Sequence, residues 1–291
     1  MVKNHLKRLN TPRTWDVLLK KNKFITRPNP GREQSLSIPL NTVLKELIGR
    51  TKTTKESKYL LRNKQVLVNG NPRYDEKFPL GLLDVISLPK TDEHYRLLVN
   101  HKKKICIVAI SRKEADVKLS KIMNKTELKG GKTQINCSDG RNFLLNKNKE
   151  PELEKARTND TVVYTLPDQK IKEVLRLEKN ALVYLYKGKH TGKVVKVDDF
   201  KQENVVFSID GSEYETRKAY ALVIGKNKPV ITLTHAQEEQ AEEAKSKQQE
   251  AKKEKETREQ DKKKSQEKTK ETGTETNKEK NIKKEDKEKK D

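Results

Sequence analysis

An α+β protein built from several small domains follows from three features of this 291-residue sequence. Between Pro39 and Pro89, apolar residues repeat at helical spacing; a capped second helix and two short apolar runs come next. From about Asp92 onward, turn signals separate short apolar stretches about every ten residues, the mark of β-rich structure. From Ala236 to the end, charges of both signs alternate with no apolar stripe. Hydrophobic residues make up only 31% and aromatics 5% of the chain, too few for one large core, so several small ones are expected.

The first helix is carried by Leu40, Val43, Leu44, Leu47 and Ile48, spaced i, i+3, i+4, i+7 and i+8 and closed by Gly49. The second opens at Thr53-Thr54-Lys55-Glu56, where Thr53 can accept the Glu56 backbone N–H while the Glu56 carboxylate reaches back, a capping box. On that helix Ser57, Leu60 and Leu61 share one side, and Lys55, Lys58 and Arg62 share the other. Val66-Leu67-Val68, the turn pair Asn69-Gly70 and the run from Leu82 to Leu88 predict a small sheet beneath the helices. Between residues 50 and 64 only Glu56 opposes Arg50, Lys52, Lys55, Lys58, Arg62 and Lys64. A ridge with so little counter-charge suits a phosphate backbone; the plainer alternative is a solvated charged helix face.

Upstream, Lys3, Lys7, Arg8, Arg13, Lys20, Lys21, Lys23, Arg27 and Arg32 face only Asp16 and Glu33. With Trp15, Phe24 and Arg27-Pro28-Asn29-Pro30-Gly31 interleaved, the pattern predicts an extended basic arm that orders on RNA. Its cations would meet phosphates, and Trp15 would lie against a base or the body. A frayed, solvated terminus is the alternative.

Downstream, Tyr95–Asn100 and Ile105–Ile110 predict a hairpin with the basic tip His101-Lys102-Lys103-Lys104. Strands at Leu119–Leu128, Thr133–Cys137 and Asn142–Leu145 are separated by Gly130-Gly131 and Asp139-Gly140. Strands at Asp160–Leu166 and Ile171–Leu177 flank Pro167-Asp168. Then Ala181–Tyr186, Gly188-Lys189-His190-Thr191-Gly192-Lys193 and Val194–Val197 read as strand, glycine-pinned loop, strand. Gly188 and Gly192 would permit left-handed backbone or close approach of another chain. Val205–Ile209, Glu213–Arg217 and Ala221–Ile224, with Asp210-Gly211 as a turn, would complete a small barrel. The tail from Ala236 is expected to be disordered or a solvated helix near Gln237 to Lys255.

Charge narrows the functional classes. The chain carries 66 Lys+Arg against 43 Asp+Glu, and the tail from Ala236 holds 18 against 17 of these. Residues 1–235 therefore bear +22 of the net +23, a field that attracts a polyanion, nucleic acid being the usual one. Catalytic patterns fail. Gly130-Gly131-Lys132-Thr133 ends like a phosphate-binding loop, but Thr126 stands where the first glycine belongs. The 188–193 loop is one residue short and has Val194 in place of a magnesium-binding hydroxyl. His5, His94, His101, His190 and His235 show no metal spacing, and Asp84 and Asp160 are plausible acids without a partner that singles them out. Cys106 and Cys137 read as small core hydrophobes of a reducing compartment. The longest apolar run, Ile105 to Ile110, is too short to span a bilayer, and the basic N-terminus lacks an apolar signal segment. No cofactor, metal, membrane or small-molecule substrate is expected.

Taken in order, the residues from Ser37 to Leu88 (SIPL…KESKYLLRNKQVLVNGNPRYDEKFPLGLLDVISL) resemble the αL RNA-binding module of ribosomal proteins, pseudouridine synthases and some tRNA synthetases. They resemble most the version in the archaeal and eukaryotic small-subunit ribosomal protein S4e family. His5-Leu6-Lys7-Arg8-Leu9, Pro12, Trp15 and the Arg27–Gly31 segment resemble the start of that family, and the 181–197 block resembles a KOW motif of SH3-like barrels. The resemblance runs through roughly residues 3 to 235. It implies a basic arm (1–36), an αL module (37–91), a β-rich central domain (92–178), a KOW SH3-like barrel (179–235) and a charged low-complexity tail (236–291). The function it implies is a structural constituent of the small subunit, bound to its ribosomal RNA and to neighbouring ribosomal proteins in the cytoplasm. The RNA-contacting set is Lys3, His5, Lys7, Arg8, Arg13, Trp15, Arg27, Arg50, Lys52, Lys55, Lys58, Arg62, Lys64, Arg73, Lys102, Lys103, Lys189, His190 and Lys193. Two alternatives stay open: an RNA-modifying enzyme docked by its αL module, and a KOW-type transcription or RNA-chaperone factor.

Overall fold

The computed structural model describes residues 5–146, 155–209 and 211–233. Lys3, Asp210 and the tail from Ala236, on which the sequence places expectations, lie outside those residues. What is described is mostly β structure in several antiparallel sheets, with a few short helices.

The leader forms β1 (Leu6–Lys7) and β2 (Phe24–Ile25), which pair with each other. It is followed by β3 (Ser37–Pro39) and α1 (Leu40–Thr42), which widens into a π-helical stretch, Val43–Leu47. The wider turn shows in the bond from Ile48 N–H to the Val43 carbonyl, and Gly49 then ends it at φ +75°. Leu40, Val43 and Leu44 are buried, as their spacing requires. Helix α2 (Thr54–Arg62) carries the expected capping box and buries Ser57 and Leu61.

Strands β4 (Leu67–Val68) and β5 (Asn71–Pro72) are joined by Asn69 and Gly70, both at positive φ (53° and 78°), the geometry of a tight hairpin turn. Then come β6 (Pro79–Gly81), β7 (Val85–Leu88), β8 (Glu93–Val99) and β9 (Ile105–Ala109). The five-stranded order is β5-β4-β7-β8-β9. The expected boundary at 91/92 is therefore corrected: it cuts one continuous sheet, because β8 hydrogen-bonds to β7 from Val85↔Arg96 to Leu88↔Glu93. The sheet is covered on both faces. Alternate side chains point to opposite sides, so Ile86, Leu97 and Val99 enter one apolar core while Val85 and Leu98 enter two others.

A short helix α3 (Arg112–Ala115), not foreseen in the sequence, leads into β10 (Val117–Leu128). With β11 (Lys132–Cys137), β12 (Asn142–Asn146), β13 (Thr161–Thr165) and β14 (Ile171–Leu175) it forms a second five-stranded sheet, order β12-β11-β10-β13-β14. Strand β10 serves two ladders, residues 117–121 against β13 and 122–128 against β11, with a register shift between Ile122 and Asn124. The rest comprises β15 (Leu182–Leu185), β16 (Val194–Lys196), β17 (Asp199–Lys201), β18 (Asn204–Ile209), β19 (Ser212–Arg217) and β20 (Ala221–Gly225). They make two three-stranded sheets, β16-β15-β20 and β17-β18-β19, whose Val183, Val195, Val205, Phe207 and Val223 share one core. Strand β17 was also unforeseen.

Buried charge links these sheets. Asp84, fully buried, receives Lys118 Nζ at 2.7 Å, Arg32 at 2.7 Å, Asn69 Nδ2 at 2.9 Å and the Gly81 N–H at 2.8 Å. Lys118 also reaches Asp139 at 3.1 Å, and Asp139 accepts the Tyr164 hydroxyl at 2.6 Å. Burial alone would push both carboxyls up, but Lys118 and, for Asp84, Arg32 outweigh it and hold them below the ordinary carboxylate range. Asp84 is thus a structural anion rather than the candidate acid of the sequence reading. Lys121, also buried, donates to the carbonyls of Lys218 (2.6 Å) and Ala221 (2.9 Å), and burial pulls its pKa down to about 8.

Lys118→Met removes the buried cation shared by two carboxylates, leaving Asp84 with Arg32 as its one cation, and is expected to cost about 3 kcal/mol in urea unfolding at pH 7. Because Asp84 has a depressed folded pKa, its contribution is present above the unfolded carboxylate value and lost as pH falls. The gap between wild type and variant should therefore shrink below about pH 4.

Candidate nucleic-acid interface

The leader folds onto the body instead of staying extended, because one large aromatic and one ion pair anchor it. Trp15 is 3% exposed, donates its indole N–H to the Ser37 carbonyl at 2.8 Å and bridges to Ile105. Arg8 is equally buried, held by the Leu18 carbonyl at 2.8 Å and by Glu46 at 2.6 Å. Neither has a face left for RNA: Trp15 belongs to the body, and Arg8 leaves the phosphate-contacting set. His5, Lys7, Arg13 and Arg27 remain exposed.

On α2, Lys55, Lys58 and Arg62 all face solvent. The local count of counter-charge changes with tertiary structure. Lys58 Nζ lies 3.2 Å from Glu76, and Arg50 pairs with Glu93. Both pairs are surface pairs, worth little and readily exchanged for a phosphate. Lys55, Arg62 and Lys64 make no ion pair among the described residues, while Lys52 donates its backbone N–H to the Glu56 carboxylate at 2.8 Å. Arg73 stacks on Phe78, with its guanidinium carbon 4.5 Å from the ring centre.

The basic hairpin tip and the 188–193 loop come together. A Cβ at Gly192, which sits at φ +84°, would collide with the His101 backbone nitrogen and lie 2.5 Å from the Asn100 carbonyl carbon. Only glycine allows this approach, and it sets exposed Lys102 and Lys103 near Lys189 and Lys193. Lys104 pairs with Asp16 at 2.7 Å, another surface pair. His190 packs against Tyr214 and Phe207, with ring centres 4.5 and 5.7 Å away. Burial, then Lys189 and Lys193, lower its pKa, so at neutral pH it is an uncharged ring. The Tyr184 hydroxyl donates to the Val99 carbonyl at 2.5 Å and accepts its N–H at 2.9 Å, fixing β15 to β8 at the base of this contact.

Two clefts open beside the leader. One, about 400 Å³, is lined by His5, Leu6, Lys7, Asn10, Arg27 and Gln34. The other, about 350 Å³, shares Arg27 and Gln34 and adds Pro28, Pro30, Arg32 and Lys77. Neither lining contains a carboxylate.

The family model for ribosomal family S4e matches residues 91–171. A small ribosomal subunit protein eS4 of Methanocaldococcus jannaschii is 36% identical over 240 residues, covering 79% of this chain and 98% of the relative. The eS4 of Methanosphaera stadtmanae is 34% identical, covering 79% and 96%. The chain belongs to the eS4 family. Its fold is similar to the crystal structure of the 30S ribosomal protein S4e from Thermoplasma acidophilum, with a TM-score of 0.56 and 23% identity over 66% of this chain and 96% of that one.

Within this eS4 fold, sequence reading missed Asn10, Gln34 and Lys77 in the clefts. Their signal was the rigid Arg27-Pro28-Asn29-Pro30 turn, which folds back so that the Asn29 N–H meets the Lys77 carbonyl at 2.9 Å. Arg32 was counted among the leader's cations but is turned inward to Asp84 across Gly81, where a Cβ would collide with the guanidinium. Arg8→Met is expected to cost about 2 kcal/mol or more by leaving Glu46 without its main partner. The salt dependence of RNA binding should stay unchanged, as comparison of urea titrations with binding isotherms would show.

Proposed function

We propose that this chain is a structural constituent of the small ribosomal subunit that holds ribosomal RNA through phosphate and shape contacts, with RNA and neighbouring ribosomal proteins as partners in the cytoplasmic ribosome. Membership of the eS4 family carries this reading. It also favours this reading over the RNA-modifying enzyme, since the relatives are named as proteins of the small ribosomal subunit. Asp160, the other carboxyl considered as an acid, accepts the Arg157 and Leu177 N–H groups at 2.7 and 2.9 Å.

The contacts we assign are Lys52, Lys55, Lys58, Arg62 and Lys64 on and around α2, with Arg50 and Arg73 at its borders. To these we add Lys102, Lys103, Lys189 and Lys193 where hairpin and loop meet, and His5, Lys7, Arg13 and Arg27 on the leader. His190 serves as a packed ring that shapes the loop. Phosphate contacts of this kind fix position, while RNA identity is read through shape. We read residues 37 to about 110 as the αL-type module, since β8 and β9 complete its sheet. The two three-stranded sheets from residue 179 onward we read as the KOW SH3-like barrel.

About six phosphate contacts imply that affinity for small-subunit RNA falls roughly a thousandfold between 50 and 200 mM salt. Lys55→Glu with Arg62→Glu should flatten that slope by about two contacts and leave thermal unfolding unchanged. An unaltered slope in filter binding would remove α2 from the interface. Failure of the tagged chain to sediment with small subunits in a sucrose gradient would remove the whole assignment.

A further inference from the structure

The paired clefts beside the leader differ from the other basic surfaces. A helix ridge or hairpin tip offers point charges to a passing backbone, whereas the clefts combine cations with flat and amide groups inside a concave wall. In the first, the His5 ring stands edge-on to Phe24 with ring centres 5.3 Å apart, and Phe24 is half exposed. Lys23 Nζ lies 5.6 Å from the Phe24 ring centre. The β1–β2 ladder fixes this arrangement by pairing Lys7 with Phe24 and Leu6 with Ile25. Asn10 and Gln34 bring side-chain amides that make no hydrogen bond to another described residue. Arg27 stands on the boundary between the two clefts, and Pro28, Pro30 and Lys77 wall the second.

We infer that this pair of clefts binds two consecutive unpaired nucleotides of RNA. The phosphate between them sits at Arg27. One base lies against the His5 ring with its edge toward Asn10 and Gln34, and the next rests between the proline rings and Lys77. A duplex cannot enter, because its bases are stacked and only its backbone and shallow groove are presented; unpaired residues can splay out and stack on aromatic side chains. The absence of carboxylates from both linings fits a polyanion and argues against a basic peptide. This inference rests on the RNA-binding reading and specifies what one part of that surface takes.

The test uses the full chain and two synthetic RNAs, a hairpin with a two-nucleotide bulge and the same hairpin fully paired, followed by fluorescence anisotropy at 100 mM salt. Wild type should prefer the bulged RNA by about tenfold, the scale of one stacked base. Asn10→Ala with Gln34→Ala, both at exposed positions, should lose most of that preference while binding the paired hairpin as wild type does. The Lys55→Glu/Arg62→Glu variant should weaken both RNAs equally and keep the preference. Equal binding of both RNAs by wild type, with a steep salt dependence, would overturn the cleft assignment and leave the RNA-binding function standing. Loss of binding to both RNAs by wild type would overturn both.

Discussion

Asp84 is the point at which the described fold is tied together. It has no solvent exposure, and each of its partners comes from a different part of the chain: Arg32 from the leader, Asn69 from the tight turn, Gly81 from β6 and Lys118 from β10. A carboxylate in that position is tolerable only if it is fully satisfied, since an unpaired buried charge costs several kcal/mol. Lys118 continues the chain to Asp139 and, through it, to Tyr164 on β13. The leader, the helix-bearing module and the central sheet are thereby held to one arrangement.

A second constraint of the same kind acts further along. Arg96, 1% exposed, pairs with Glu114 and donates to the Glu114 and Val117 carbonyls at 3.0 and 2.9 Å. Glu114 also accepts the Thr232 hydroxyl at 2.7 Å, so the last described segment closes on α3. In a chain with +22 on its first 235 residues, part of the positive charge is consumed internally. Arg8, Arg32, Arg96, Lys118 and Lys121 are structural. What remains exposed is the charge available to a polyanion.

That division explains which features were legible in sequence. The α2 capping box, the Asn69-Gly70 turn, the hairpin around residues 101–104 and the strand after Gly130-Gly131 are local. Each is set by residues within a few positions, and each is found where its pattern placed it. Arg8 and Trp15 were read as RNA contacts because nothing local distinguishes a cation that will find Glu46, 38 positions away, from one that will not. Likewise the neighbourhood of α2 looked bare of anions because Glu76 and Glu93 arrive through the sheet. The division at 91/92 failed for a related reason: the turn between β7 and β8 resembles a linker in composition, and only the ladder shows that it joins neighbouring strands. The short α3 and β17 carry too few residues to display a period.

Rigidity matters here because each exposed cation contributes little alone. Phosphate contacts are weak and screened, so their sum depends on presenting many of them at spacings an RNA already has, without spending free energy on ordering. A leader that stayed disordered would pay that ordering cost on binding; one pinned by Trp15 and by Arg32 does not. Gly192 plays the same part at the other end of the described chain. By letting the loop touch the Asn100–His101 backbone, it makes two separate basic elements behave as one surface. The bulky, charged and conformationally demanding residues that look functional in the sequence thus divide in two: those that hold the frame, and those whose usefulness depends on the frame being held.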